Sequence, residues 1–258
     1  MPTRPPQLSP VTSGVLAKSY PALPAPPLVG LRRSGAGRIW LKHEGYSAGG
    51  SFFDRVVRCS LADASSETIG VVGADAFSYS LAIRAASEGR GVTVFDVSPN
   101  ERRLRSLLHG VGARVRTFKN SEEVAAATSA FSGELVERHA SRPILSALRD
   151  VAAEVSAELG ESDVHWVLPD FGQLTSELAE SLGVLPKRVS TVLDDRERRR
   201  ELEPSARARR QQVAQREGVL LSPVGAELVE SAVGVVDDCG ASVVVLIPEC
   251  GRRFVGWW

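Results

Sequence analysis

Apolar residues along the chain fall into short runs that alternate with stretches of helical period, and the alternation sets the architecture. Residues 92–97 are apolar at four of six positions and read as a strand buried on both faces. The helix opened by Pro99-Asn100-Glu101 carries Leu104, Leu107, Leu108 and Val111 as one stripe and stops at Gly112. Residues 113–118 then alternate like a strand. The same rhythm precedes them, with strands at 38–42 and 68–72 and helices at 51–62 and 77–88, the second apolar at Leu81, Ala82 and Ala85. It returns with a strand at 164–168, a helix at 174–182 and a strand at 188–193. A turn from Gly218 into a helix and a final strand at 242–248 complete the series. Strand, helix, strand in this order implies right-handed crossovers and a mostly parallel sheet.

Two stretches break the rhythm. Eight of the fifteen prolines precede Leu28, so the first part of the chain is expected to be extended, without regular hydrogen bonding. Residues 194–217 are dense in charge. Arg196, Arg198, Arg199, Arg200, Arg207, Arg209 and Arg210 are interleaved with Asp194, Asp195, Glu197, Glu201 and Glu203. A nucleic-acid patch is one reading. Interspersed acids and the absence of aromatic rings favour a solvated helix surface broken at Pro204.

With 258 residues, 43% hydrophobic and 24% charged, the chain is long enough for one large or two small α/β cores. Lys+Arg and Asp+Glu are equal at 31 each, so no overall field draws it to nucleic acid or an anionic membrane. Cys59, Cys239 and Cys250 are too few and too scattered for a disulfide framework, and no spacing suggests a metal site. A reducing cytoplasm fits that usage. No basic and apolar leader opens the chain, and no apolar run approaches the roughly 18 residues of a membrane span. A soluble, unprocessed protein is expected.

The segment Lys42-His43-Glu44-Gly45-Tyr46-Ser47-Ala48-Gly49-Gly50-Ser51-Phe52-Phe53-Asp54-Arg55 resembles the active-site signature of fold-type II pyridoxal-phosphate (PLP) enzymes such as cysteine synthases and cystathionine β-synthases. Their pattern runs roughly K-x-E-x-x-N-P-x-G-S-x-K-D-R. Further likeness lies in residues 25–31, in the Gly-Ala turn at 112–113, in residues 218–226 and in the last strand with Glu249 to Phe254. The resemblance runs from about Pro27 to Phe254 with a shortened middle between Lys119 and Asp163. It implies a two-domain, three-layer αβα fold, with residues 39–143 as an N-terminal α/β subdomain. Residues 1–38 and 144–258 would form the C-terminal subdomain with a proline-rich arm. Tryptophan synthase β shares this architecture.

The resemblance also implies where chemistry belongs, and there the sequence departs from it. The family's second signature lysine forms the Schiff base with PLP, and here that position is Phe53, whose ring has no nitrogen lone pair. Only four lysines occur in the chain, and Lys42, the nearest substitute, matches a non-catalytic lysine of the pattern. The family's T-S-G-N-T-G loop aligns with residues 73–78, placing Ala76 where an asparagine hydrogen-bonds the cofactor. Its glycine-rich phosphate turn aligns with Pro169-Asp170-Phe171-Gly172-Gln173-Leu174-Thr175. At about 4 Å and an effective dielectric near 20, each like-charge pair costs about 4 kcal/mol. A helix N-terminus returns about 2 kcal/mol at most, so Asp170 opposes a phosphate unless it points away. As a helix N-cap, Asp170 would satisfy the same amides internally. The serine that meets the pyridine nitrogen is replaced by Glu249-Cys250, with Cys250 either a ring partner or a small filler. Gly50, Ser51, Asp54 and Arg55 persist, and Ser51 with Asp54 has the spacing of a capping box.

Loss of the chemical parts with retention of structural ones points to a catalytically degenerate scaffold, a pseudoenzyme without cofactor, working as a homodimer or with a protein partner. Trp257 and Trp258 would then serve an interface, or fold back onto their own domain. A PLP-dependent lyase or β-replacement enzyme is the alternative, with PLP as cofactor. A third reading is a small-molecule binding module whose cleft, lined by Ser51, Phe52, Phe53, Phe77 and Phe171, accepts an apolar ligand.

Overall fold

The computed structural model describes residues 25–31, 38–97, 102–160, 164–192, 204–239 and 241–251. Nine strands and eight helices follow one another in these residues. They are β1 (Leu28–Gly30), β2 (Ile39–His43), α1 (Phe53–Asp63), β3 (Thr68–Val72), α2 (Ala76–Ser87), β4 (Gly91–Asp96), α3 (Arg102–Gly110) and β5 (Arg114–Thr117). Next come α4 (Ser121–Ser129), β6 (Glu134–Leu135), α5 (Ser141–Leu159), β7 (His165–Pro169), α6 (Thr175–Leu182) and β8 (Val189–Val192). The chain continues with α7 (Pro204–Glu217), α8 (Pro223–Cys239) and β9 (Val243–Ile247).

The strands make two sheets, ordered β1-β2-β9-β7-β8 and β5-β4-β3-β6. All pairings are parallel except that of β1 with β2. β1 gives regular hydrogen bonding to the segment before Gly30, which the proline content had argued against only upstream of Leu28. Strand β2, grouped with the residues after it in the sequence reading, instead pairs with β9 in the larger sheet. The strands of the smaller sheet therefore begin at Thr68. The shortened middle holds α4, the two-residue β6 and α5.

Side-chain alternation explains the three layers. In β9, Val244 and Leu246 enter a core shared with α1, α2, α5 and α6, while Val243, Val245 and Ile247 enter a second core with α7 and α8. Helix α1 buries Phe53, Val56, Val57, Ser60 and Leu61, a spacing of three and four that keeps one face on the core. The charge-dense stretch is described from Pro204 onward. There α7 turns Arg210 and Val213 inward while Arg209 Nε pairs with Glu230 of α8 at 3.0 Å, so one face of this helix is not a solvated surface. Among the described residues, no helix is long and apolar enough to cross a membrane, and no group of His, Cys, Asp and Glu is placed to hold a metal ion.

Insertion of β9 between β2 and β7 positions the site. Its register, Lys42 opposite Leu246 and His43 opposite Ile247, carries the segment after β2 alongside residues 248–251. Phe52 N then donates to Pro248 O at 2.7 Å, and Ser51 bridges to Glu249. Gly45 is required by this approach, because a β-carbon there would stand 2.3 Å from the backbone nitrogen of Cys250.

Candidate functional site

The segment from Lys42 to Arg55 divides into an ionic half and an aromatic half. In the first, Arg55 donates through Nε and Nη2 to Glu44, at 2.7 and 3.1 Å, and through Nη1 and Nη2 to Glu154 of α5, both at 2.7 Å. Lys42 Nζ pairs with the same Glu154 at 2.7 Å and donates to Pro26 O. Two cations balance two anions, and Lys42 and Glu44 are fully buried. Burial lifts the Glu44 carboxyl above its usual range, and the Arg55 pair limits the rise. Burial pushes Glu154 the same way, but hydrogen bonds from Arg55 and Lys42 outweigh it and hold Glu154 below the usual range. Arg55 is held firmly charged: its bonds to the two carboxylates exceed the opposing effect of burial. Lys42 is thus committed to Glu154 rather than available as a substitute amine.

Two local expectations are corrected here. Ser51 does not cap α1: the residue before the helix is Phe52, which makes no side-chain cap, and Ser51 Oγ meets Ser80 Oγ at 3.1 Å. Asp54 Oδ2 accepts from Gly49 N at 2.7 Å, so the carboxylate folds the preceding turn instead of closing a capping box. Arg55, read as a backbone element, is the hub of the ion cluster.

The aromatic half begins at the first residue of α1. Phe53 is only 7% exposed; Phe77 meets its ring edge-on, with centroids 5.5 Å apart at 82°. Phe52 is fully buried, 6.3 Å from Phe53 and 5.0 Å from Phe171. The four rings expected to line a cleft fill space against one another. An open surface pocket of about 370 Å³ is lined by His165, Lys187, Arg188, Val235 and Asp238. Burial and the nearby Arg188 hold His165 below the usual imidazole range, and its Nε2 meets Ser190 Oγ at 2.8 Å.

Carboxylates occupy both the 73–78 loop and the turn that the resemblance assigns to phosphate. At the start of α2, Asp75 Oδ1 accepts from Ser78 N at 2.9 Å and Ser78 Oγ accepts from Asp75 N at 2.9 Å, a reciprocal cap. Asp75 Oδ2 takes Nη1 of Arg138 at 2.7 Å, and that guanidinium lies 4.9 Å from the Phe53 ring centroid. Ala76, beside it, offers no polar side chain. After β7, Asp170 Oδ1 accepts from Gly172 N at 2.7 Å. Asp170 therefore caps its own turn and not α6; at α6, Glu177 Oε2 accepts from Leu174 N at 3.3 Å. Gly172, with φ of 73°, supplies the left-handed backbone this turn needs.

Cys250 is half-buried and pairs its backbone with Leu221 at the end of the last strand. Trp257 and Trp258 lie outside the described residues. Sequence reasoning missed Asp75, Arg138 and His139. An aspartate three residues before Ser78 carries a cap signal, whereas Arg138 reaches Asp75 across 63 residues with no local cue.

The two sheets, with β9 inserted between β2 and β7, make a fold shared with solved fold-type II PLP enzymes. O-ureido-L-serine synthase superposes with a TM-score of 0.75 at 16% identity, over 90% of both chains. An O-acetylserine-dependent cystathionine β-synthase from Helicobacter pylori gives 0.73 at 14%, over 91% of this chain and 95% of that one. A hydrogen sulfide-producing enzyme from Fusobacterium nucleatum gives 0.74 at 14%, over 96% and 99%. At these identities the likeness is one of fold. No protein-family model and no curated protein matches the chain.

Proposed function

We propose that this protein is a fold-type II scaffold that has left lysine-based PLP chemistry and acts by binding a protein partner, as a homodimer or in a hetero-complex. The observation that carries the reading is Phe53, a hydrocarbon ring packed against Phe77 at the position where the resemblance expects an amine. As a seat for PLP the residues fit poorly. No nitrogen at position 53 captures an aldehyde, Ala76 gives no hydrogen bond, Asp75 is already paired with Arg138, and Asp170 places negative charge in the turn that the resemblance assigns to phosphate.

A surface for a partner is supported by exposed apolar side chains at the C-terminal edges of the two sheets. Tyr46, Val72, Val97, Leu135 and Leu174 are all exposed, and each sits at or just beyond the C-terminal end of a strand, β2, β3, β4, β6 or β7. Exposed apolar groups at such an edge suit an interface. Leu174→Asp with Val72→Asp is expected to lower the mass measured by sedimentation while leaving the circular dichroism spectrum unchanged. Equal mass for the wild type and the double variant at every concentration tried would remove this edge from the proposal.

The second reading, a PLP-dependent lyase or β-replacement enzyme, is favoured by the fold comparison, since the three solved neighbours are enzymes by name. Phe53→Lys separates the two. Under the first reading this single change does not restore a cofactor adduct, because Asp75, Ala76 and Asp170 remain. A visible-absorbing lysine adduct in that variant would support an enzyme that has lost one element.

A further inference from the structure

We propose that Phe53 and Asp75 together form a receptor for a guanidinium group, and that Arg138 is its resident occupant. The inference rests on the reading above, because it requires that neither residue serves PLP. The guanidinium of Arg138 lies 4.9 Å from the Phe53 centroid while its Nη1 donates to Asp75 Oδ2 at 2.7 Å. Both walls are braced from behind. Phe77 holds the Phe53 ring edge-on, and the amide of Ser78 fixes the other Asp75 oxygen at 2.9 Å. An aromatic face beside an oriented carboxylate selects a planar, weakly hydrated cation over a compact ammonium, which gains the charge but not the stacking.

Arg138 sits on the short connection between β6 and α5, and the next residue carries that connection across to the larger sheet. His139 Nδ1 meets Phe171 O at 3.2 Å, and Gln173 Nε2 donates to His139 O at 3.2 Å. Residues 138–139 thus strap the aromatic seam from α2 to the loop after β7. The Arg138 and Asp75 side chains are 18% and 12% exposed, so the seat meets water on one side. An arginine side chain of a partner polypeptide enters by exchanging with Arg138, and the strap is released as it does so. The ligand class is an alkylguanidinium.

Arg138→Ala empties the seat without altering Phe53 or Asp75. Its thermal unfolding is followed against methylguanidinium chloride, with methylammonium chloride and sodium chloride at matched concentrations. The expected result is a saturable rise in Tm with methylguanidinium at millimolar concentration and a much smaller one with methylammonium. A much smaller rise is expected in the wild type, where the ligand must displace Arg138, and none in the double variant R138A/D75N. A flat response of Arg138→Ala, or an equal response to all three salts, overturns the proposal. Should that variant fail to fold, Arg138→Lys is used, with the same order of salts expected at a higher midpoint. PLP is titrated into a separate sample of wild type. A cofactor band there sinks the reading of an abandoned cofactor site, whereas flat melts without a band sink the guanidinium seat alone.

Discussion

The two halves of the segment from Lys42 to Arg55 meet different physical demands. Lys42, Glu44 and Arg55 are charged groups taken out of water, and each persists because the others and Glu154 neutralise it. Removing any one leaves an uncompensated charge in a medium that solvates it badly. Phe53, eleven residues from Lys42 on the same segment, has no such dependents: its neighbours are Phe52, Phe77 and the face of Arg138. The charged positions are locked by one another, while position 53, where the resemblance expects an amine, is held by ring packing alone.

Arg55→Ala tests the locked half and has the largest expected effect. It strands Glu44 and leaves Glu154 with Lys42 alone, for a loss of about 3–5 kcal/mol in denaturant unfolding. A loss below about 1 kcal/mol would mean the cluster is replaceable and the contrast false. Phe53→Ala tests the packed half. Truncating a buried ring costs about 3–5 kcal/mol, and the 7% exposure places it at the lower end. A neutral result would show an open cleft rather than a filled one.

Asp170→Ala removes the acceptor from Gly172 N and is expected to cost about 1 kcal/mol, the usual value of a lost cap. The same variant reports on charge, since phosphate added to it should bind no worse than to wild type; weaker binding would place Asp170 outside the anion loop. The smallest effect concerns acid. Glu154 is held below the usual carboxylate range, so its ion pairs stabilise the fold above the unfolded value, about 4.3, and are lost as pH falls through the lowered one. Glu44 is shifted upward by burial and acts in the opposite sense, taking up its proton earlier in the folded state. Glu154→Gln is expected to flatten the acid-side fall of the urea midpoint. An unchanged slope would assign that fall to other carboxylates.

Periodicity carried the fold because it is local. The strand read at 68–72 is β3 as observed, and the apolar run at 92–97 is β4 displaced by one residue. Phe53 was also legible, since an identity at a signature position needs no partner to be noticed. What escaped was pairing over distance. Arg55 meets Glu154 across 99 residues and Arg138 meets Asp75 across 63, and neither leaves a pattern in the sequence. Ser51 and Asp54 misled for the complementary reason. Their spacing matches a local cap, but Ser51 takes Ser80, brought close by tertiary folding, and Asp54 takes the Gly49 amide of the turn before it. Glu177 forms a local cap at α6, and Asp75 at α2 keeps its cap through one carboxylate oxygen while the other takes Arg138.

The central claim is that position 53 holds packing where relatives of this fold hold a reactive amine. It is tested most directly by adding excess PLP to the purified wild-type protein, reducing with borohydride and measuring the intact mass and visible spectrum. The account predicts the unmodified mass and the spectrum of free PLP. A single stoichiometric cofactor adduct, on Lys42 or any other lysine, would contradict it.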